Sequence, residues 1–140
     1  MSFAGVFEGR LDEKSRVSIP APFRKLLAEG EQLRLYCRFN SKLNCLSLFP
    51  ESTWKEMSAE TEKKSKIDAV SLQKYYASFV MVEIDSVGRI LLTKLKDVIK
   101  ITNNEIPLIF AGHGKFINLY NKDTYEQMFN NKNVQIEVKK

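Results

Sequence analysis

Two pairs of residues in this chain have the type and spacing to do chemistry: Asp12 with Arg16, and Asp85 with Arg89, each pair four positions apart. An Asp opens a turn because its carboxylate accepts the backbone N–H two residues on. In the second pair Gly88 supplies the positive φ that closing such a turn into a new strand calls for. The Arg then starts the outgoing strand, where its guanidinium either folds back on the carboxylate or points outward to an anion. As an exposed turn staple such a pair is worth about 0 to 1 kcal/mol. At this level both jobs stay open for both arginines.

The surroundings of the two pairs repeat as well. Leu11 to Arg24 returns as Ile84 to Lys96: an apolar residue, the Asp, the Arg, a short aliphatic run and the start of a helix. Charge is concentrated around the first copy. Between Arg10 and Lys25 stand five cations (Arg10, Lys14, Arg16, Arg24, Lys25) against two anions (Asp12, Glu13), in a chain whose net charge is +5. Such a strip attracts phosphates, and an Arg fork on a turn has the reach to read guanine in a major groove.

Other chemistries find little support. Two cysteines, Cys37 and Cys45, and one histidine, His113, do not make a four-ligand zinc set, and neither a G-x-S-x-G nor an H-E-x-x-H pattern occurs. Gly112-His113-Gly114-Lys115 lacks the spacer and the trailing Ser or Thr of a phosphate loop, so it reads as a hairpin turn with His113 at its tip. No enzyme activity, cofactor, metal or small-molecule substrate is expected. With no basic leader and no run of 18 apolar residues, the expectation is a cytoplasmic protein without membrane contact, its cysteines buried free thiols.

The elements that position these residues follow from periodicity. At 140 residues the chain suits one compact domain or two small repeats sharing a core. Phe3, Phe7 and Leu11 alternate with Val6, Glu8 and Arg10, predicting a strand over 3–11. Val17 and Ile19 face inward, Pro20 and Pro22 open a helix with the stripe Phe23, Leu26, Leu27, and Gly30 ends it. Leu33 to Phe39 alternates with one basic face (Arg34, Arg38), Asn40 to Asn44 turns, and Cys45 to Phe49 runs back to Pro50. Thr53 with Glu56 reads as a capping box for a helix bearing Trp54 and Met57, which continues into the polar run Ser58 to Lys66. Leu72, Tyr75, Tyr76 and Phe79 form a second helical stripe that reads as core rather than as a platform for bases.

In the second half Val80, Val82 and Ile84 lead to Asp85, Arg89 to Leu92 is the outgoing strand, and Leu95, Val98 and Ile99 repeat the short stripe. Asn103-Asn104 turns the chain, Ile106 to Ala111 and Phe116 to Tyr120 form a hairpin, and Asp123 with Glu126 caps a helix carrying Tyr125 and Phe129. Trp54 and Tyr125 correspond. Neither half closes its own sheet, so the two are expected to pair into one mostly antiparallel barrel or interlocked sheet with helices packed outside.

These motifs together resemble the MraZ family of bacterial regulators, whose two tandem SpoVT-AbrB-like repeats each carry D-x-x-x-R: Asp12 to Arg16 and Asp85 to Arg89 here. Phe7 and Gly9, Pro20 with Phe23-Arg24, the strand Leu46-Leu48-Phe49-Pro50 before Trp54, and Gly112 add to the likeness. The resemblance implies an α+β, mainly β fold, a tandem AbrB-like swapped-hairpin (double-psi-type) barrel with pseudo-two-fold symmetry and short peripheral helices. Its repeats span 3–50 and 79–129, with a helical connector at 51–78 and a tail at 130–140. It implies a nucleoid-associated, ring-shaped homo-oligomer of about eight or more subunits. The resemblance further implies that such a ring binds double-stranded DNA at promoter direct repeats of the cell-division and cell-wall gene cluster. The rival reading is a structural or protein-interaction ring whose D-x-x-x-R motifs staple turns and subunit interfaces.

Three positions depart from the family pattern: Ser15 where the first motif has Gly, Thr93 for Pro, and Lys96 where an Arg is expected after Leu95. Ser15 means either a different turn or a side chain held at positive φ, at about 1 kcal/mol. These departures favour DNA contacts on the first copy, through Arg10, Lys14, Arg16, Arg24 and Lys25, with Asp12, Asp85 and Arg89 in turn or interface roles.

Overall fold

In a computed structural model, residues 1–64, 67–101 and 106–129 are described. The first half runs β1 (Val6–Arg10), β2 (Arg16–Ser18), α1 (Ala21–Glu29), β3 (Arg34–Asn40) and β4 (Cys45–Pro50), followed by α2 (Glu51–Lys63) and α3 (Ala69–Ala77). The second runs β5 (Val80–Glu83), β6 (Arg89–Leu91), a 3₁₀ helix (Lys96–Ile99), β7 (Pro107–Gly112), β8 (Ile117–Asn121) and α4 (Lys122–Phe129).

Six strands form one antiparallel sheet in the order β1-β7-β8-β4-β3-β5, and β2 pairs with β6 in a separate ribbon. Exchanging the halves reverses the order of the sheet onto itself. Each half sends its first strand into the other: β1 lies against β7, and β5 against β3. The pseudo-two-fold axis passes through two places where a residue meets its own counterpart, Ser47 opposite Asn118 and Val17 opposite Ile90. Through the two Asp turns the ribbon joins β1 at one side and β5 at the other, so the sheet closes into a mainly β, AbrB-like barrel. Closure removes edges that either half alone would leave open.

Inward faces fill the barrel. Val17 and Ile90 of the ribbon, Ile19 and Leu92 just after its strands, and Phe3, Phe23, Leu35, Leu46, Leu108 and Phe110 are essentially without solvent exposure. Phe23 receives Phe3 and Phe7 edge-on, at centroid distances of 5.5 and 5.1 Å. Gly112 is required here for close approach: a Cβ on it would lie 2.4 Å from the Phe3 carbonyl carbon and oxygen. That contact lets the Phe3 and Gly114 backbones exchange two hydrogen bonds of 2.6 and 3.0 Å.

Several local expectations are corrected. The predicted strand over 3–11 is interrupted at Gly5 (φ 98), leaving β1 with single bridges at Phe3 and Leu11. The Thr53 capping box does not form, because Pro50 presets the backbone and α2 starts at Glu51. Thr53 instead donates to the Lys115 carbonyl at 2.9 Å. Likewise α4 starts at Lys122, with Asn121 Oδ1 accepting from Asp123 N at 2.9 Å. Gly30 does end α1, but the left-handed residue is Glu31 (φ 55).

The second short stripe is a 3₁₀ turn that buries Leu95 and Ile99 and leaves Val98 exposed. No residue of α3 is buried, so its stripe is not core. It lies outside the barrel on β3 and β4, where Tyr36 stacks on Trp54 (4.0 Å) and Arg38 sits over Phe79 (4.6 Å). Arg38, on the basic face of β3, is therefore covered by aromatics. The turn at Asn103-Asn104, residues 65 and 66 of the polar run, and the tail lie outside the described residues.

Candidate nucleic-acid interface

The two Asp turns are built alike. Asp12 Oδ1 accepts the backbone N–H groups of Lys14 (2.8 Å) and Arg16 (2.9 Å), and Oδ2 accepts Arg16 Nε at 2.8 Å. Asp85 Oδ1 accepts those of Val87 (3.0 Å) and Arg89 (2.9 Å), and Oδ2 accepts Arg89 Nε at 2.9 Å. In both cases the Arg backbone N–H is the largest influence holding the carboxyl below its ordinary 3.8. Both carboxylates are ionised at neutral pH and fix the fork behind them. Nε thus staples the turn, while the terminal Nη groups of Arg16 and Arg89 take no further hydrogen-bond partner among the described residues. Ser15 keeps the turn type and accepts the left-handed backbone, with φ 62 against 84 for Gly88.

Strand register sets the two forks on one face of the ribbon, diagonally at its opposite ends. Arg16 pairs with Leu91 and Ser18 with Arg89, while Val17 and Ile90 point into the core. Both guanidiniums consequently project from the outer face of one two-stranded ribbon.

The same pairing redistributes the predicted basic strip. Ile19 N donates to Gly88 O (2.9 Å) and Leu92 N to Ser15 O (2.8 Å), so α1 begins beside the second turn and the 3₁₀ helix beside the first. Arg24 Nη1 reaches Val87 O at 3.3 Å, and Lys96 Nζ reaches Ser15 Oγ at 3.2 Å. Arg24 and Lys25 thus line an open groove of about 590 Å³ with Leu33, Ile84, Asp85 and Val87, next to the second motif and not the first. Lys14 and Arg16 stay with the first turn. Arg10 lies at the end of β1, 3.7 Å from Glu8, which also holds Lys122 at 3.2 Å. Lys96 was not among the sequence candidates, although its place as the counterpart of Arg24 in the repeat marked it.

Among the described residues no three His, Cys, Asp or Glu side chains converge as metal ligands. Cys37 and Cys45 are buried free thiols, pushed up to about 12 and about 11 by desolvation. Among the described residues no helix is long and apolar enough to cross a membrane.

Comparison with known proteins agrees with this geometry. A family model described as MraZ protein matches residues 2–74. The transcriptional regulator MraZ of Bacteroides thetaiotaomicron is 34% identical over 131 residues, covering 91% of this chain and 83% of that protein. That of Thermoanaerobacter sp. (strain X514) is 34% identical over 137 residues, covering 95% and 90%. That of Bacteroides fragilis (strain ATCC 25285) is 31% identical over 131 residues, covering 91% and 82%. With both D-x-x-x-R turns, the half-exchanging strands and this likeness along nearly its whole length, the chain belongs to the MraZ family.

Proposed function

We propose that this protein is a sequence-specific DNA-binding transcriptional regulator that reads promoter direct repeats with its β2–β6 ribbon. The observation that carries the reading is the pair of Asp-held arginine forks on one outer face. A major groove admits a two-stranded ribbon, and a guanidinium whose Nε is tied to a carboxylate presents two terminal donors matched to guanine O6 and N7. Lys14, Lys25, Arg24 and Lys96 around the forks, and Arg10 further along β1, supply phosphate attraction, in keeping with the net charge of +5. The names of the relatives support a regulatory role.

One protomer reads few base pairs. A ring of identical subunits, cytoplasmic and nucleoid-associated, multiplies that contact over direct repeats upstream of cell-division and cell-wall genes.

Fluorescence anisotropy on DNA from upstream of the protein's own gene and on a scrambled duplex, across several salt concentrations, tests this. Wild type is expected to prefer its own DNA about 1000-fold, the low end for specific binders, and Arg16→Ala to lose that preference with its assembly intact by light scattering. Equal binding to both duplexes that vanishes with modest salt overturns the reading. If Arg16→Ala dissociates the assembly, the turns are interface staples instead.

A further inference from the structure

We propose that Arg24 and Lys96 are positioning residues exchanged between the halves. Each braces the other half's Asp turn and is matched to the residue at that turn's left-handed position: Arg24 to Gly88, and Lys96 to Ser15. The exchange follows from the ribbon, because Ile19 is bonded to Gly88 and Leu92 to Ser15, delivering each short helix to the opposite turn.

At the second turn the arginine lies flat. The position a Cβ would take on Gly88 is 2.0 Å from Arg24 Cδ, 2.8 Å from Cγ and 3.3 Å from Nε, so the stem occupies the space that a side chain at 88 would need. From there Nη1 reaches the Val87 carbonyl. At the first turn the same backbone carries a side chain, Ser15 at φ 62. A flat arginine does not fit over that Cβ. The counterpart residue is Lys96, which approaches end-on and meets the hydroxyl with its ammonium at 3.2 Å. The two turns thus solve one steric problem in two ways, and the members of each pair depend on each other.

Bracing matters for function because each turn carries the carboxylate that aims its fork; in this respect the inference rests on the forks reading DNA. The swaps keep net charge unchanged, since Arg replaces Lys and Ser replaces Gly. A loss of preference among these variants is then a loss of positioning and not of a cation.

The test is a double-mutant cycle at the second turn, read by preference for own over scrambled DNA and by thermal midpoint. Gly88→Ser is expected to lower the preference at least tenfold, Arg24→Lys less than threefold, and the double variant to return to within threefold of wild type, its lysine meeting the new hydroxyl. A double variant that stays at the Gly88→Ser level, or an Arg24→Lys variant as damaged as Gly88→Ser, overturns the pairing. Should Gly88→Ser not fold, the mirrored cycle applies: Lys96→Arg is damaging alone and relieved by Ser15→Gly, and additivity there overturns the proposal. If wild type shows no preference, the DNA reading has failed on its own. The midpoints still decide the pairing, with rescue supporting it and additivity refuting it.

Discussion

Replacing Arg89 with alanine tests whether both forks read, against the expectation that the first motif carries the DNA contact. The two guanidiniums share a face, a carboxylate anchor and nearly equal side-chain exposure, 30% for Arg16 and 33% for Arg89. A bidentate Arg–guanine contact discriminates by about 1–3 kcal/mol, roughly 5- to 150-fold, so Arg89→Ala is expected to lose as much preference as Arg16→Ala. Unfolding does not account for such a loss, because an ion pair this exposed contributes at most about 1 kcal/mol to stability. Arg89→Lys separates reading from attraction. It keeps the positive charge, and with it the slope of log affinity against log salt, and loses the discrimination. Competition anisotropy with own and scrambled duplexes at three or more salt concentrations measures both quantities. If Arg89→Ala keeps wild-type discrimination while Arg16→Ala loses it, the ribbon does not present two equivalent readers and the symmetry argument fails.

Two further outcomes concern stability. Gly112→Ala drives a Cβ into the Phe3 backbone and undocks a fully buried ring with its paired backbone hydrogen bonds. The expected loss is about 3–5 kcal/mol, a fall in thermal midpoint on the order of 10 °C, and an unchanged midpoint would contradict the close approach. Alkali should destabilise the fold as well, because Cys37 and Cys45 titrate near 9 when unfolded but at about 12 and about 11 when folded. Their contribution is intact below about pH 9 and is lost as pH rises toward the folded values, at up to about 1.4 kcal/mol per pH unit for each thiol. Denaturant titrations from pH 8 to 10.5 should therefore slope less for a Cys37→Ala/Cys45→Ala variant, and equal slopes would refute the assignment.

Much of the fold was legible in the residues because its signals are local. Asp12 and Asp85 as turn formers and Val17 and Ile19 as inward positions follow from sterics and alternation, and each is found, while at Ser15 the sequence left a different turn or a positive φ open and the backbone takes φ 62. Neighbours across the barrel are a different matter. Periodicity reports which face of a strand is buried and is silent on which strand lies beside it. Arg24 was grouped with Arg16, eight residues away in the chain, yet it braces Val87 and Gly88, because only closure of the sheet decides where α1 begins. The stripe of α3 failed for a related reason: a helical period also serves an outer aromatic layer when strand faces already fill the interior. Proline chemistry explains the displaced start of α2, where the preset φ of Pro50 outcompeted a side-chain cap.

Pseudo-symmetry gives these exchanges a common logic. Strands β1 and β5 each complete the other half's sheet, and Arg24 and Lys96 each complete the other half's turn. Fusion in one chain also frees counterparts to differ, as they cannot in a dimer of identical halves. At the axis Ser47 Oγ donates to Asn118 Oδ1 at 2.6 Å, a buried donor and acceptor pair. Val17 and Ile90 meet there as unequal aliphatics, and the turns have diverged into Gly with Arg and Ser with Lys. What has not diverged is the part aimed outward: two carboxylates, two Nε contacts of 2.8 and 2.9 Å, and two forks on one face. Supports that vary beneath a fixed pair of forks are what a surface selected for the geometry of its two arginines would show.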